Sequence, residues 1–178
     1  IKMIFFSVLL PCHNETNLLD ESINSILEQS FKDFELIIIN DGSSNQKTLD
    51  IISKYKKHKN IIIVNNQKNM GLTLSLIKAA KYCSGRYIIR QDADDYSHVD
   101  RLKLTFNFLQ KNQDTDLLLC SFYAHKNKKI YSPLVSYIYY LPTFLLLRMF
   151  PVFNIFVHGT FCISSNCIQS IGYNHNFK

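Results

Sequence analysis

Glycine is scarce in this chain, with five among 178 residues, and none of them falls into GxGxxG or GxxxxGK[ST]. Dinucleotide folds and phosphate loops need such glycines, because the backbone must approach a pyrophosphate with no Cβ in the way. Nicotinamide binding and P-loop phosphoryl transfer therefore lose their usual sequence support. Cysteines occur at 12, 83, 120, 162 and 167, and no CxxC pair is present. Their odd number, and the apolar or strand-like surroundings of three of them, read as reduced, mostly buried thiols of a cytosolic protein. Helix-turn-helix, RNA-binding and zinc-finger patterns are missing, so no nucleic acid partner is expected. The opening "IKMIFFSVLL" is apolar but short and runs directly into fold-like sequence, unlike a secretory signal. Acid is missing from the last third: no Asp or Glu follows Asp116.

What is present suits one globular domain with a real core. The residues are 47% hydrophobic and 19% charged, and the formal net charge is +6. The basic excess is local, in "KYKKHK" (54–59) and "KNKK" (126–129). Each run reads as a solvated helix end or loop, with attraction to an anionic membrane surface or to nucleic acid as the functional alternatives.

Short apolar runs alternate with helical patterns. Strands are expected at 4–10, 34–40, 61–66, 87–92 and 116–122. Helices are expected after the first strand, with Leu19, Ile23, Ile26 and Leu27 on one face, and then at 45–59, 72–83 and 98–112. Near-continuous apolar strands imply helices on both sheet faces. The alternation implies an α/β fold with a Rossmann-like, mostly parallel sheet. Ligands in such sheets bind beyond the carboxyl ends of the strands.

Past residue 125 the pattern changes. The apolar, aromatic segment 134–157 is broken by Pro142, Arg148 and Pro151, which argues against one membrane-spanning helix. It reads either as a pair of core or lid helices or as an interfacial surface meeting a membrane or a lipid-linked substrate.

Four expected strand ends are polar: "PCHNE" (11–15), "NDGSSN" (40–45), "NNQKNMG" (65–71) and "RQDADD" (90–95). Together they describe a site at one sheet edge. Asp92 and Asp94 are two apart, so on an extended segment they share a face. Mg²⁺ or Mn²⁺ would relieve their repulsion, adding diphosphate and water as further ligands. The plainer use of "DADD" is a cap and turn before the next helix. Asp41 can accept a base N–H, or serve only as the Asx-turn of its "DGSS" loop.

These blocks, with "HGTFCISSNCIQSIGYN" (158–174), resemble the successive blocks of the family 2 glycosyltransferases, over about residues 6–175. The resemblance implies a GT-A fold and an inverting enzyme that takes a UDP-sugar or another nucleotide-sugar as donor. The implied acceptor is a glycan or lipid-linked molecule, in surface polysaccharide synthesis. Position by position it implies Pro11, Glu15, Asp41, Asn69, Gly71 and Asp92 on the donor. Asp94 is the implied direct metal ligand, with Asp92 beside it, for Mn²⁺ or Mg²⁺. On the acceptor side it implies Asp95, His158 and Gly159. Asn40 stands where the family has an acid.

The family's general base, an Asp a dozen or so residues after the "GY" block, is expected beyond Lys178. Residues 1–125 are then a donor-binding half and 126–178 an incomplete acceptor-side region of a truncated chain. His158 and His175 are substitute bases or structural histidines. The alternative function is a non-catalytic module that binds nucleotide or a partner. The expected location is cytoplasmic, peripheral at the inner membrane face through 134–157.

Overall fold

The computed structural model describes residues 4–120, 124–126, 129–131 and 158–171. The segment 134–157 and His175 lie outside them. The elements, in chain order, are β1 (Phe6–Cys12), α1 (Leu19–Leu27), β2 (Phe34–Asn40), α2 (Gln46–Lys54), β3 (Ile61–Asn65), α3 (Leu72–Ala80), β4 (Tyr87–Arg90), α4 (Arg101–Lys111), β5 (Leu117–Leu119), β6 (Ala124–Lys126), β7 (Lys129–Tyr131), a 3₁₀ turn (His158–Thr160), β8 (Phe161–Ser164) and α5 (Ser165–Ile171).

Six strands form one sheet in the order β3-β2-β1-β4-β8-β5, while β6 and β7 form a separate hairpin. The first four are parallel, and β8 runs antiparallel to both its neighbours. Strand alternation explains why the runs are apolar throughout. Phe6, Val8, Leu10, Leu36 and Ile38 face a core shared with α1, α2 and α4, whose Leu19, Ile23, Ile26, Ile52, Leu102 and Leu109 are buried. Leu9, Ile37, Ile39 and Val64 point to the other face, against Leu76 and Ala79 of α3. Both faces are therefore covered, as the sequence implied.

The chain steps from β1 outward to β2 and β3, then crosses back to β4 on the other side of β1. That reversal opens a crevice between the loops after β1 and β4, where ligands of such sheets sit. Pro11 lies at this point. β1 pairs with β4 only as far as Leu9, so the missing Pro11 N–H interrupts no rung between them.

Several elements differ from expectation. α2 and α4 are shorter than their apolar patterns, and β4 stops at Arg90 instead of 92. β8, which no alternation announced, separates β4 from β5.

Candidate functional site

Asp41 follows β2 directly and is buried. Its Oδ1 accepts from Asn66 Nδ2 and the Met70 N–H, each at 2.8 Å, and its Oδ2 accepts from the Gly71 N–H at 2.9 Å. Burial alone would raise this carboxyl. The bonds from Asn66, Met70, Ser75 and Gly71 outweigh it and hold the group below its ordinary value of 3.8. Asp41 therefore fastens the 66–71 loop to the end of β2. Lys78 completes the arrangement, donating to Asn66 Oδ1 at 2.7 Å and so orienting its carboxamide. Both glycines here have positive φ, +65° at Gly42 and +83° at Gly71. A Cβ on Gly42 would also fall on the Lys68 and Asn69 backbone.

Asn14, after β1, takes a positive φ of 55°. Its Oδ1 accepts from the Ser44 and Asn45 N–H groups, each at 2.9 Å. His13 Nδ1 bonds the Asp41 carbonyl at 2.8 Å. The loops after β1 and β2 are thereby held as one surface. Glu15 has a local job: its Oε1 accepts from the Asn17 and Leu18 N–H groups, at 2.7 and 3.2 Å, at the entry to α1. The Asn17 bond is the main cause that lowers its carboxyl. Asn69 is exposed and accepts from Gly71 N–H at 2.9 Å.

The acidic stretch corrects one expectation. Asp92 and Asp94 do not lie along an extended segment. The Asp95 N–H donates to the Asp92 carbonyl at 3.2 Å, which closes a turn. Ala93 is buried in it and Asp94 is exposed. The cause is a buried polar net beneath the turn. Gln91 Nε2 donates to the Asp95 carbonyl at 2.8 Å and to Ser22 Oγ at 3.1 Å. Ser22 Oγ in turn donates to the Asp92 carbonyl at 2.9 Å.

The two carboxylates that share a space are Asp92 and Asp95. A Cβ placed on Gly159 would lie 2.8 Å from Asp95 Oδ2 and 3.1 Å from Asp92 Oδ2. Gly159 is buried, and because it has no side chain the 158–160 turn cradles both oxygens at close range. Asp92 Oδ1 is already paired with Arg90 at 2.6 Å. Asp95 is an exposed residue, but its carboxyl borders Gly159 and is raised first by desolvation and then by the charges of Asp92 and Asp94, against Arg101 and Arg90.

Among the described residues, no three His, Cys, Asp or Glu side chains converge in a way that could hold a metal ion. The hard oxygens of this turn fit a Mg²⁺ or Mn²⁺ that takes one or two carboxylates and completes its shell from phosphate and water. They do not fit an all-protein cage.

Sequence reading missed Arg90, Gln91, Ser22 and Arg101. The signal was present in "YIIRQD", where two long polar residues close an otherwise apolar strand. No spacing rule links Arg101 to the site. His158 begins the 3₁₀ turn that carries Gly159.

A Rossmann-like sheet with its polar loops and an acidic turn gathered at the carboxyl edge is the GT-A class of fold. Solved structures agree. The chain superposes on Staphylococcus aureus TarS in complex with UDP-GlcNAc with a TM-score of 0.77, at 24% identity, over 93% of this chain and 47% of that one. It also superposes on the mannosyltransferase PcManGT from Pyrobaculum calidifontis in complex with GDP-Man and Mn²⁺, with a TM-score of 0.69, at 15% identity, over 94% and 46%. The family model described as glycosyl transferase family 2 matches residues 7–168, and the chain belongs to that family.

Relatives include an uncharacterized glycosyltransferase of Methanocaldococcus jannaschii, 41% identical over 63% of this chain and 39% of its own length. A cholesterol galactosyltransferase of Borreliella burgdorferi is 34% identical over 67% of this chain and 33% of its own length. The chain thus matches well under half the length of these relatives.

Proposed function

We propose that this chain is the donor-binding part of an inverting glycosyltransferase. It would take a sugar from a nucleoside-diphosphate donor, with a divalent metal, and pass it to a glycan or lipid-linked acceptor in surface polysaccharide synthesis. The observation that carries the reading is the pairing of two devices on one edge. Asp41 stands at the end of β2, and the Asp92–Asp95 turn with its Gly159 cradle stands at the end of β4. The TarS and PcManGT complexes, with UDP-GlcNAc and with GDP-Man and Mn²⁺, support a nucleotide sugar as ligand.

In this reading Asp41 presents the 66–71 loop to the nucleoside, with an acceptor lone pair of Oδ2 for a base N–H. Asp94 and Asp92, with Asp95 beside them, face the diphosphate. A divalent ion bound there supplies charge neutralisation for the leaving diphosphate. Arg90 restrains Asp92 so that its second oxygen stays toward Gly159. An acceptor hydroxyl attacks the anomeric carbon in line while a general base takes its proton. The base is left to residues outside those described.

The protein is proposed to work in the cytoplasm at the inner membrane face, on the sequence of 134–157. Among the described residues no helix is long and apolar enough to cross a membrane.

A panel of nucleotide sugars with Mn²⁺, read by donor hydrolysis and by transfer, tests the reading. Metal-dependent turnover of one donor is expected. Nucleotide binding with no turnover of any donor would favour the alternative, a binding module.

A further inference from the structure

We propose that Arg101 is a positioning residue that fastens the acidic turn to the 158–160 turn and so presets the width of the diphosphate cradle. The proposal rests on the nucleotide-sugar reading for what the cradle receives.

Arg101 opens α4, and its guanidinium makes four bonds. Nη1 donates to Gln91 Oε1 at 2.8 Å and to Ser97 Oγ at 2.9 Å. Nη2 donates to the Arg90 carbonyl at 2.9 Å and to the Gly159 carbonyl at 2.9 Å. Three of these acceptors belong to the strand end and loop that carry the acids. The fourth belongs to a turn 58 residues further along the chain.

The β4–β8 pairing stops short of the acidic turn. The β4–β8 ladder ends where Ile89 faces Cys162. Past that rung β4 and the 158–160 turn stay close, and the guanidinium bonds one carbonyl of each. Nη2 bridges the two carbonyls while Nη1, fixed in the same plane, holds Gln91 and Ser97, and an ammonium, a single point donor, cannot hold all four acceptors.

The spacing matters because Gly159 abuts both carboxylates. Its missing Cβ would lie 2.8 Å from Asp95 Oδ2 and 3.1 Å from Asp92 Oδ2. Any change in the distance between the turns therefore alters the room beside those oxygens. In catalysis, misplacement by about 1 Å can cost on the order of 100-fold in rate. Asp41 and its loop lie at the end of β2 and make no bond to Arg101, so the nucleoside end is independent of it.

Arg101→Met and Arg101→Lys test this in the full chain, by two readouts. The first is hydrogen exchange without ligand, at the Asp95 N–H and at the Cys120 N–H, which bonds the Thr160 carbonyl. Both variants are expected to lose protection at both amides, by about tenfold or more. The second is affinity for UDP with Mn²⁺ against affinity for uridine, which has no phosphate. UDP affinity is expected to fall about tenfold or more while uridine affinity holds.

Retained protection at either amide, undiminished UDP affinity, or an equal loss for uridine would overturn the proposal. So would full rescue by Arg101→Lys, since charge alone would then suffice. Should Arg101→Met not fold, Gly159→Ala probes the same cradle with Arg101 in place, and full UDP affinity in it would overturn the proposal. If the unaltered chain binds neither ligand, the function proposed above fails, and the exchange readout decides this proposal by itself.

Discussion

At the scale of single residues, the strongest commitment is Asp41. One carboxylate serves three N–H donors from Asn66, Met70 and Gly71. Replacing it by Asn turns an acceptor into a donor facing donors. We expect Asp41→Asn to lose about 2–4 kcal/mol of stability, read by urea unfolding, because buried partners are left unsatisfied.

The same residue sets a pH dependence. Its folded pKa is held below the ordinary 3.8, so the unfolded chain takes up this proton first. The stability contributed by the ionised form is complete above the unfolded value. It declines as pH falls through the lower folded value. Urea midpoints measured from pH 6 down to pH 2 should fall more steeply in the unaltered chain than in Asp41→Asn, where this component is gone.

Gly42 makes a second residue-scale prediction. Its φ of +65° and the Lys68–Asn69 backbone against it leave no place for a Cβ. Gly42→Ala should cost about 1–3 kcal/mol or more, read as a lower thermal midpoint with the far-UV spectrum kept.

The elements show which sequence signals carry weight. β1 and β2 were legible because their apolar runs are buried on both faces of the sheet. The inward face of α1 was legible too: Leu19, Ile23 and Ile26 are fully buried. The ends of elements were less so. "YIIRQD" reads on past Arg90 as strand, yet Gln91 turns inward to hold the acidic turn. That outcome depends on Ser22, 69 residues earlier, and no local pattern reports it. β8 escaped for a related reason. At four residues it is too short to show alternation, and its place between β4 and β5 is fixed only by tertiary pairing.

The contact between α1 and the acidic loop gives an element-scale prediction. Gln29 is buried and donates to the Ser25 and His98 carbonyls at 3.0 and 2.7 Å, and its Oε1 accepts from the Leu102 N–H at 2.9 Å. Gln29→Leu keeps the volume and removes all three bonds. It should lower stability by about 2–4 kcal/mol in chemical denaturation. Exchange protection at the Leu102 N–H should fall with it.

For the whole molecule, the sequence was informative about chemistry in the order that parallel topology converts into proximity. "NDGS" and "DADD" lie some fifty residues apart, and two crossovers bring the ends of β2 and β4 to one edge. The polar strand ends could therefore be grouped before any fold was known. The inner geometry could not. Spacing paired Asp92 with Asp94 on an extended strand. The folded turn instead sets Asp92 and Asp95 against Gly159, because the buried side chains of Gln91 and Ser22 bend the loop. Arg101, which bonds both sides of that cradle, is recognisable only once the 158–160 turn is in place.

The central claim is that one edge of this sheet binds a nucleoside diphosphate together with a divalent metal. Thermal unfolding of the 178-residue chain with UDP, with Mn²⁺, and with both tests it most directly. A ligand held at 100 times its Kd adds about 2.7 kcal/mol, and for a chain of this size each kcal/mol moves Tm by about 2–4 °C. The account predicts a rise of about 5–10 °C with UDP and Mn²⁺ together, and a much smaller rise with either alone. An unchanged Tm with every nucleoside diphosphate tried, metal present, would contradict it.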